Sequence, residues 1–470
     1  MEYEVVIGLE VHVQLNTESK IFCSCSTRFE SPPNTNICPV CCGYPGVLPV
    51  LNRKALELAV RVCLALNCRI NKRIYFERKN YFYPDLPKNY QISQYKLPLG
   101  EGGYLNLPSG KSIRIKRIHL EEDAGKLIHQ DTYSLIDFNR TGIPLLEIVT
   151  EPDINSPEEA FEYLNWLKLT IQYIDASTCD MEKGYLRCDV NISVREKGEN
   201  TLGTKVELKN MNSFKGVRDA LEYEAYRQID CLKKSIPITQ ETRLWDDGKK
   251  KTFVMRRKEE AHDYRYFPEP DLVDFVIGEE LIAKEREFIG ELPLGKRERF
   301  IHNYSLTLKE VDILISQPKL ADFFESAVNI LNEPKHIANW LLGPFLECIN
   351  SLKEGEEIKI TPNNFAKIVK YFLDNKLNNL SAKRVLSLAL LTDKDVDKII
   401  QEEGLIQVSG EEELSIFVEG VIKDNPKAVG DFSQGKQEAI MFLVGQVMKK
   451  TKGKANPKVV REILERRLLK

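Results

Sequence analysis

The chain has 470 residues, 42% of them apolar and 29% charged, which is the composition of an ordinary globular protein with more than one domain. The formal net charge of −3 excludes a global attraction for nucleic acid, so any such contact needs a local basic patch. No apolar run approaches the roughly 20 residues of a membrane helix. Met1-Glu2-Tyr3-Glu4 leads directly into a strand pattern, so we expect neither a signal peptide nor a membrane location. The eleven cysteines are mostly scattered, which predicts a cytoplasmic protein.

The first predicted element is a strand at residues 6–15, where apolar and polar residues alternate strictly. One face is apolar, and Glu10 and His12 share the other face. Two positions on the same face lie about 6 to 7 Å apart, so this carboxylate and imidazole could share one metal ion or one reacting group. The alternative is an ordinary solvated strand face.

A cysteine motif follows this strand. Cys23 and Cys25 are separated by twelve residues from Cys38 and Cys41, and Gly43 comes two positions later. Two closely spaced cysteine pairs are typical of a tetrahedral zinc knuckle, and four thiolates leave no open position for water. The motif therefore predicts a structural Zn²⁺ site, with four free loop thiols as the alternative.

Residues 1–292 mix short alternating segments with loops rich in Pro, Gly and Asn, so we predict a β-rich α+β domain. Three helices interrupt it, at residues 51–65, 156–173 and 216–232. Asn52 is the predicted cap of the first. Ser156 is the predicted N-cap of the second, with a capping-box Glu159.

Four later segments, 119–126, 136–147, 186–193 and 205–210, repeat the polar face of the first strand. Glu147 is a lone carboxylate in an apolar run, where burial is costly unless the group is paired or metal-bound. The other polar candidates on these segments are Glu121, Glu122, Arg187, Asp189, Lys205, Glu207 and Lys209. Acids that bind a hard cation, combined with Arg and Lys, predict a concave site for a divalent metal and phosphates. The sequence has neither a Walker motif nor a dinucleotide glycine fingerprint.

Beyond residue 292 the patterns are helical, and we predict an all-α domain at 293–405 and a small helical tail domain at 406–470. Predicted helices in the first of these are 308–316, 319–332, 335–352 and 363–373. The tail is electrically divided: residues 401–435 carry eight acids and two lysines, whereas residues 436–470 carry ten Lys/Arg and three Glu. The cluster Lys449, Lys450, Lys452 and Lys454 is either a solvated face or a contact for a phosphate backbone.

Several long motifs carry a family resemblance that spans essentially the whole chain. They are residues 6–12, 78–85, 90–94, 121–126, 187–191, 207–212, 263–271 and 442–448. Together they resemble the B subunits of the aspartyl/glutamyl-tRNA amidotransferases, in the bacterial heterotrimeric form.

The resemblance implies a cradle-like kinase and transamidase domain, a helical domain and a tRNA-binding tail. It also implies an amidase-type A subunit that releases ammonia from glutamine, a small C subunit, and ATP and Mg²⁺ as cofactors. The implied substrates are the misacylated tRNAs Glu-tRNA(Gln), Asp-tRNA(Asn) or both.

On the resemblance and the residue pattern together, we assign roles to the polar candidates. The Mg²⁺ ligands are His12, Glu10, Glu147 and either Glu121 or Glu122; Asp189 and Glu207 lie near them as further catalytic groups; Arg187, Lys205 and Lys209 bind phosphates; Lys79 and Tyr81 line an ammonia route; and the four tail lysines contact tRNA. Two rival functions are a non-catalytic zinc-knuckle RNA-binding module and a metal-dependent phosphoesterase. ATP consumption distinguishes the ligase from both.

Overall fold

The computed structural model describes residues 2–257, 264–353, 356–405, 411–433, 436–451 and 455–468. The chain forms two compact units, Met1–Lys296 and Arg297–Lys470. The first is rich in sheet and the second is helical, which confirms the predicted α+β class. Among the helices of the described ranges, none has the length and apolar composition that a membrane span requires.

The strands lie in the first unit. They are β1 (Tyr3–Gln14), β2 (Arg69–Ile70), β3 (Arg73–Ile74), β4 (Glu77–Asn80), β5 (Tyr90–Ser93), β6 (Gly100–Asn106), β7 (Ser112–Glu122), β8 (Lys126–His129), β9 (Ser134–Asp137), β10 (Pro144–Thr150), β11 (Leu186–Glu196), β12 (Val206–Lys209), β13 (Glu241–Asp246), β14 (Lys251–Arg257), β15 (Phe267–Pro268) and β16 (Phe275–Val276). Nine of them form one sheet in the order β14-β13-β12-β11-β1-β10-β7-β6-β2. Neighbouring strands in this sheet are antiparallel except β12 and β13. The opening strand β1 therefore lies at the centre of the sheet.

The helices are α1 (Arg53–Ala65), α2 (Pro157–Tyr173), α3 (Phe214–Lys233), α4 (Glu279–Glu287), α5 (Pro293–Tyr304), α6 (Leu308–Ile315), α7 (Pro318–Ile330), α8 (Pro334–Trp340), α9 (Leu346–Asn350), α10 (Pro362–Leu373), α11 (Asn379–Leu390), α12 (Val396–Glu403), α13 (Glu411–Asp424), α14 (Pro426–Ser433), α15 (Glu438–Lys450) and α16 (Pro457–Leu468). The predicted caps of the first two are confirmed. Asn52 accepts from the N–H groups of Lys54 and Ala55, and Ser156 accepts from that of Glu159. The Glu159 carboxylate accepts instead from the N–H of Asn155, at 2.8 Å, so it caps one residue further out than a capping box.

The apolar face of the large sheet forms the core of the first unit. Ile7, Leu9, Val11 and Val13 of β1 are buried there, as their alternation predicted. The apolar residues of α1, α2 and α3 belong to the same core. Because the helices cover this face, the polar residues of the strands are left on the opposite face.

In the second unit, the helix predicted at 335–352 is wrong as one continuous element. It is divided into α8, a π-helical turn at Leu341–Phe345, and α9. Pro344 lies inside the π-helical turn, and a proline cannot donate the backbone hydrogen bond that an α-helix requires there. The tail helices have a hydrophobic core of their own, which includes Leu414, Leu443 and Val460.

Candidate functional site

Polar side chains form rows across the central strands of the sheet. In the main row, His12 of β1 lies opposite Glu147 of β10 on one side and Arg187 of β11 on the other. Glu147 in turn lies opposite His119 of β7. Residues directly opposite on paired strands have Cβ atoms about 5 Å apart, so four strands bring four polar side chains into one line.

The tightest group in this region contains two carboxylates and an imidazole. One ligand atom from each of His12, Glu121 and Glu147 lies within 4.8 Å of the other two. His12 Nε2 is 3.4 Å from Glu121 Oε1 and 3.8 Å from Glu147 Oε2. His119 Nε2 is 3.0 Å from the same Glu147 oxygen and 3.5 Å from Glu121 Oε2. Oxygen and imidazole ligands at such separations can converge on one divalent cation.

The charges of this group are strongly coupled. Burial alone would lower the pKa of the His12 imidazole, but the neighbouring Glu121 and Glu147 carboxylates outweigh burial and raise it to about 9. For Glu147, burial favours the neutral acid, but His119 and His12 lower its pKa to about 2. Both carboxylates are therefore ionised near neutral pH, and a cation that binds them competes with the proton on His12.

Glu10 occupies the next row, outside this group of three, so its predicted role as a ligand to the same metal ion is not supported by its position. Its Oε1 accepts a hydrogen bond from Asn191 Nδ2 at 2.8 Å, and Asp189 lies opposite it. Asp189 forms an ion pair with Lys209, whose Nζ is also 3.8 Å from Glu207. The second row thus combines carboxylates with a cation.

A cleft of about 1030 Å³ covers both rows. Its lining includes all the predicted site residues of the sheet except Glu122, together with Lys79 and Tyr81. Arg187 extends from the main row to Asp123 at 3.0 Å, and Lys205 lies at the rim on the exposed surface. The cleft therefore brings acids and cations from separate segments of the sequence to one place.

Lys79 and Tyr81 lie at one wall of the cleft beside two further tyrosines. Lys79 Nζ is 4.8 Å from the centre of the Tyr264 ring and 5.9 Å from that of Tyr81. Burial lowers the pKa of the Lys79 ammonium, but Tyr266 and Glu121 raise it by more, so its pKa lies above the ordinary value. Lys79 is therefore a permanent cation that the aromatic rings partly enclose.

Glu122, one of the two alternatives for a metal ligand, lies away from the cluster. Successive residues of a strand point to opposite faces, so Glu121 faces the cleft and Glu122 does not. Lys88 Nζ binds the two carboxylate oxygens of Glu122 at 2.5 and 2.6 Å. The structure thus places Glu121 in the cluster, and it does not support the catalytic role predicted for Glu122, because that carboxylate is committed to Lys88.

The four knuckle cysteines converge as the spacing predicted. One Sγ atom from each of Cys23, Cys25, Cys38 and Cys41 lies within 4.8 Å of the others. The sulfurs of Cys38 and Cys41 are 3.9 Å apart, close to the roughly 3.8 Å that tetrahedral zinc–thiolate geometry requires. The thiol of Cys23 hydrogen-bonds to Cys41 and lowers the pKa of Cys41, so a thiolate is favoured even without a metal. These residues could bind a metal ion.

The basic end of the tail is partly described. Lys449 and Lys450 end α15, and Lys450 forms an ion pair of 2.5 Å with Asp424 of α13. Lys452 and Lys454 lie outside the described residues. The pattern that predicted a phosphate contact therefore stays a prediction.

Sequence reasoning missed His119, Asp123, Tyr264 and Tyr266 as members of the site. His119 carried a signal, since it precedes Glu121 by two positions, as Glu10 precedes His12. Tyr266 stacks on Tyr95 with ring centres 4.4 Å apart. The position of this tyrosine segment depends on the pairing of β15 with β4, which local periodicity does not reveal.

The fold and the site define a class: α+β proteins whose central sheet carries a carboxylate–imidazole cluster in an open cleft and is followed by a helical region. Comparison with known proteins specifies the family. Residues 5–283 match the GatB/GatE catalytic domain, and residues 322–468 match the GatB domain. The chain belongs to the GatB/GatE family.

Full-length relatives are similar over the whole chain. Two proteins named as the B subunit of aspartyl/glutamyl-tRNA(Asn/Gln) amidotransferase, from Caldanaerobacter subterraneus subsp. tengcongensis and Thermoanaerobacter pseudethanolicus, are each 52% identical, with both chains covered completely. The protein of that name from Carboxydothermus hydrogenoformans is 50% identical over 100% of this chain and 99% of its own.

Proposed function

We propose that this chain is the B subunit of a tRNA-dependent amidotransferase, an ATP-dependent carbon–nitrogen ligase that uses glutamine as amido donor. It phosphorylates the side-chain carboxylate of Glu-tRNA(Gln), Asp-tRNA(Asn) or both, and then amidates the activated carboxylate. The observation that supports this most is the cluster of His12, Glu121 and Glu147 beside the cations of one large cleft. Its relatives carry the amidotransferase name over the full length of the chain.

The chemistry explains why such a site is needed. A carboxylate does not react with ammonia at neutral pH because the leaving group would be oxide. An oxygen of the substrate carboxylate attacks the γ-phosphorus of ATP, the bond to ADP breaks, and an acyl phosphate forms. Ammonia then attacks the acyl carbon, phosphate leaves, and the nitrogen gives up a proton to become the amide. Phosphoryl transfer depends on positioning and charge stabilisation more than on a protein nucleophile.

Within this reaction, His12, Glu121 and Glu147 would hold a Mg²⁺ ion. When bound, such an ion offsets the negative charge that develops between phosphoryl donor and acceptor. Arg187, Lys205 and Lys209 bind phosphate oxygens, because a guanidinium or ammonium forms charge-assisted hydrogen bonds to them. Asp189 and Glu207 keep Lys209 oriented towards the cleft.

Lys79 and Tyr81 are proposed to border the entry route of ammonia from an amidase-type A subunit, with a small C subunit completing a heterotrimer. Lys79 is a weaker acid than an ordinary lysine because its pKa is raised. It therefore does not protonate ammonia that passes it, and ammonia stays nucleophilic. The polar cleft wall separates this route from bulk water.

The direct test of the function is co-expression with candidate A and C subunits. We expect the assembled complex to convert Glu-tRNA(Gln) or Asp-tRNA(Asn) to the amidated tRNA only when ATP and glutamine are both present, releasing ADP and phosphate. Cleavage of RNA, or tRNA binding without ATP turnover, would support the phosphoesterase or the binding module instead.

The knuckle is proposed to hold one structural zinc ion per chain, and replacing Cys23, Cys25, Cys38 and Cys41 with serine should remove it. We expect the thermal midpoint to fall by about 5–10 °C, because the metal cross-links two loop segments that otherwise lack a stabilising core. Elemental analysis and differential scanning calorimetry measure the two effects. Cys231→Ser, at a position outside the knuckle, is the control. Zinc-free wild-type protein, or a quadruple variant of unchanged midpoint, contradicts the proposal.

The tail lysines are proposed to contact the tRNA backbone. Neutralising Lys449, Lys450, Lys452 and Lys454 to glutamine should weaken tRNA binding and reduce the log–log salt slope by roughly 0.7 to 0.9 for each lost phosphate contact. Glutamine hydrolysis by the partner amidase without tRNA should be unchanged. A Lys423→Gln/Lys427→Gln variant of the acidic half is the control. An unaltered slope in the quadruple variant would identify the basic cluster as a solvated face.

A further inference from the structure

The carboxylate next to the metal cluster is bound with unusual completeness for a group outside the cleft. The side chain of Glu122 is 2% exposed and that of Lys88 is 7% exposed, so their ion pair is buried. Glu122 Oε1 also accepts a hydrogen bond from the backbone N–H of Ile92 at 2.8 Å. A buried ion pair with further hydrogen bonds is costly to disrupt, which fixes the end of β7.

Strand β5 binds both neighbouring glutamates at once. Gln91 Nε2 donates to the backbone carbonyl of Glu122 at 2.7 Å, and Ser93 Oγ donates to Glu121 Oε2 at 3.3 Å. Together with the Ile92 N–H, three consecutive residues of β5 contact the last two residues of β7. Any shift of Glu122 therefore moves the backbone that carries Glu121.

The cysteine knuckle packs against the same ion pair. Gly43 has φ +69°, and a Cβ at this position would lie 2.3 Å from Lys88 Cγ. The absence of a side chain at Gly43 thus leaves room for the aliphatic stem of Lys88. On the other side, Lys20 Nζ donates to Cys41 Sγ at 3.6 Å, and a cavity of about 210 Å³ is lined by both lysines and Glu122. The knuckle therefore forms one wall around the Lys88–Glu122 pair.

We propose that Lys88, acting through Glu122, is a positioning residue for the metal ligand Glu121, and that the knuckle turn at Gly43 holds Lys88 in place. This rests on the proposed function, in which Glu121 is a metal ligand. Groups that orient a ligand without touching the metal contribute strongly to affinity, and their loss lowers it by about 10- to 100-fold. Lys88 is thus expected to affect the metal site without contacting substrate.

The test measures Mn²⁺ binding to the zinc-loaded full-length chain by electron paramagnetic resonance, without ATP or tRNA. We expect Lys88→Met to weaken Mn²⁺ binding by about tenfold or more. In the assembled complex it should raise the Mg²⁺ concentration for half-maximal rate while kcat at saturating Mg²⁺ changes little. Lys96→Met, an exposed lysine on the same segment, is the matched control and should bind Mn²⁺ like the wild type.

A second variant covers the case in which Lys88→Met does not fold. The double variant Lys88→Gln/Glu122→Gln removes both charges together, so it leaves no unpaired buried charge and retains amide hydrogen bonding. It should fold and still bind Mn²⁺ more weakly, because a neutral hydrogen bond fixes Glu122 less firmly than the ion pair. A folded double variant with wild-type Mn²⁺ affinity overturns the positioning role.

A Glu121→Ala variant separates this outcome from failure of the proposed function. If the wild type does not bind Mn²⁺, or if Glu121→Ala binds it normally, the metal cluster itself is wrong. If Glu121→Ala abolishes binding but the Lys88 variants bind normally, the cluster stands and the positioning role alone is rejected. A lower thermal midpoint with unchanged Mn²⁺ affinity means that the pair is only structural.

Discussion

Replacing His12 with alanine should nearly abolish ATP-dependent phosphorylation of the tRNA-borne carboxylate while the protein still folds. His12 lies on the polar face of β1, whereas Ile7, Leu9, Val11 and Val13 pack on the other face, so the apolar core is untouched. The variant removes one of three ligand groups that converge within 4.8 Å. Loss of a group that holds a catalytic metal costs several kcal/mol of transition-state stabilisation, or about a thousandfold in rate.

The measurement is acyl phosphate formation and amidated tRNA produced by the assembled complex. His129→Ala removes an exposed histidine of the same unit and should leave the rate unchanged. Added Mn²⁺ or excess Mg²⁺ should restore part of the His12→Ala rate, because the remaining Glu121 and Glu147 still bind a cation weakly. Near-normal amidation by His12→Ala, or failure to fold, would mean that β1 is scaffold and that the active site lies elsewhere.

Replacing Arg187 with methionine should lower the phosphorylation rate by about a hundredfold to a thousandfold. Arg187 lies opposite His12 in the main row, and its guanidinium is 3.0 Å from Asp123. The charge of Asp123 raises the pKa of Arg187, so it is a permanent cation at the cluster. A guanidinium binds phosphate oxygens in pairs with fixed geometry, so we expect Arg187→Lys to restore only part of the activity.

The fold should survive this change because Asp123 keeps a second cation, Arg140, at 3.4 Å. Arg195→Met is a suitable control: it lies on the same strand and face as Arg187 and pairs with Glu4, away from the cleft. Single-turnover phosphorylation at saturating ATP, together with the KM for ATP, measures the effect. Unchanged values for both in Arg187→Met would remove Arg187 from the phosphate site and leave its contact with Asp123 as a structural ion pair.

The sequence by itself determined the features that depend on local periodicity and spacing. Alternation in β1 placed Glu10 and His12 on the polar face and the apolar residues in the core, because a strand repeats every two residues. The spacing of Cys23, Cys25, Cys38 and Cys41 predicted their convergence, because short loops restrict where the thiols can lie. The two helix caps followed from side chains that reach only two or three residues along the chain.

The tertiary structure alone decided which polar residues meet. His12, Glu147 and His119 lie far apart in the sequence, and the register of β1, β10 and β7 brings them into one row. The same register separates Glu10 from the cluster by one row. It also distinguishes Glu121 from Glu122, since a shift of one residue along a strand exchanges its two faces. Such registers are set by the packing of the whole sheet against its helices, so local patterns could nominate the ligands but could not select among them.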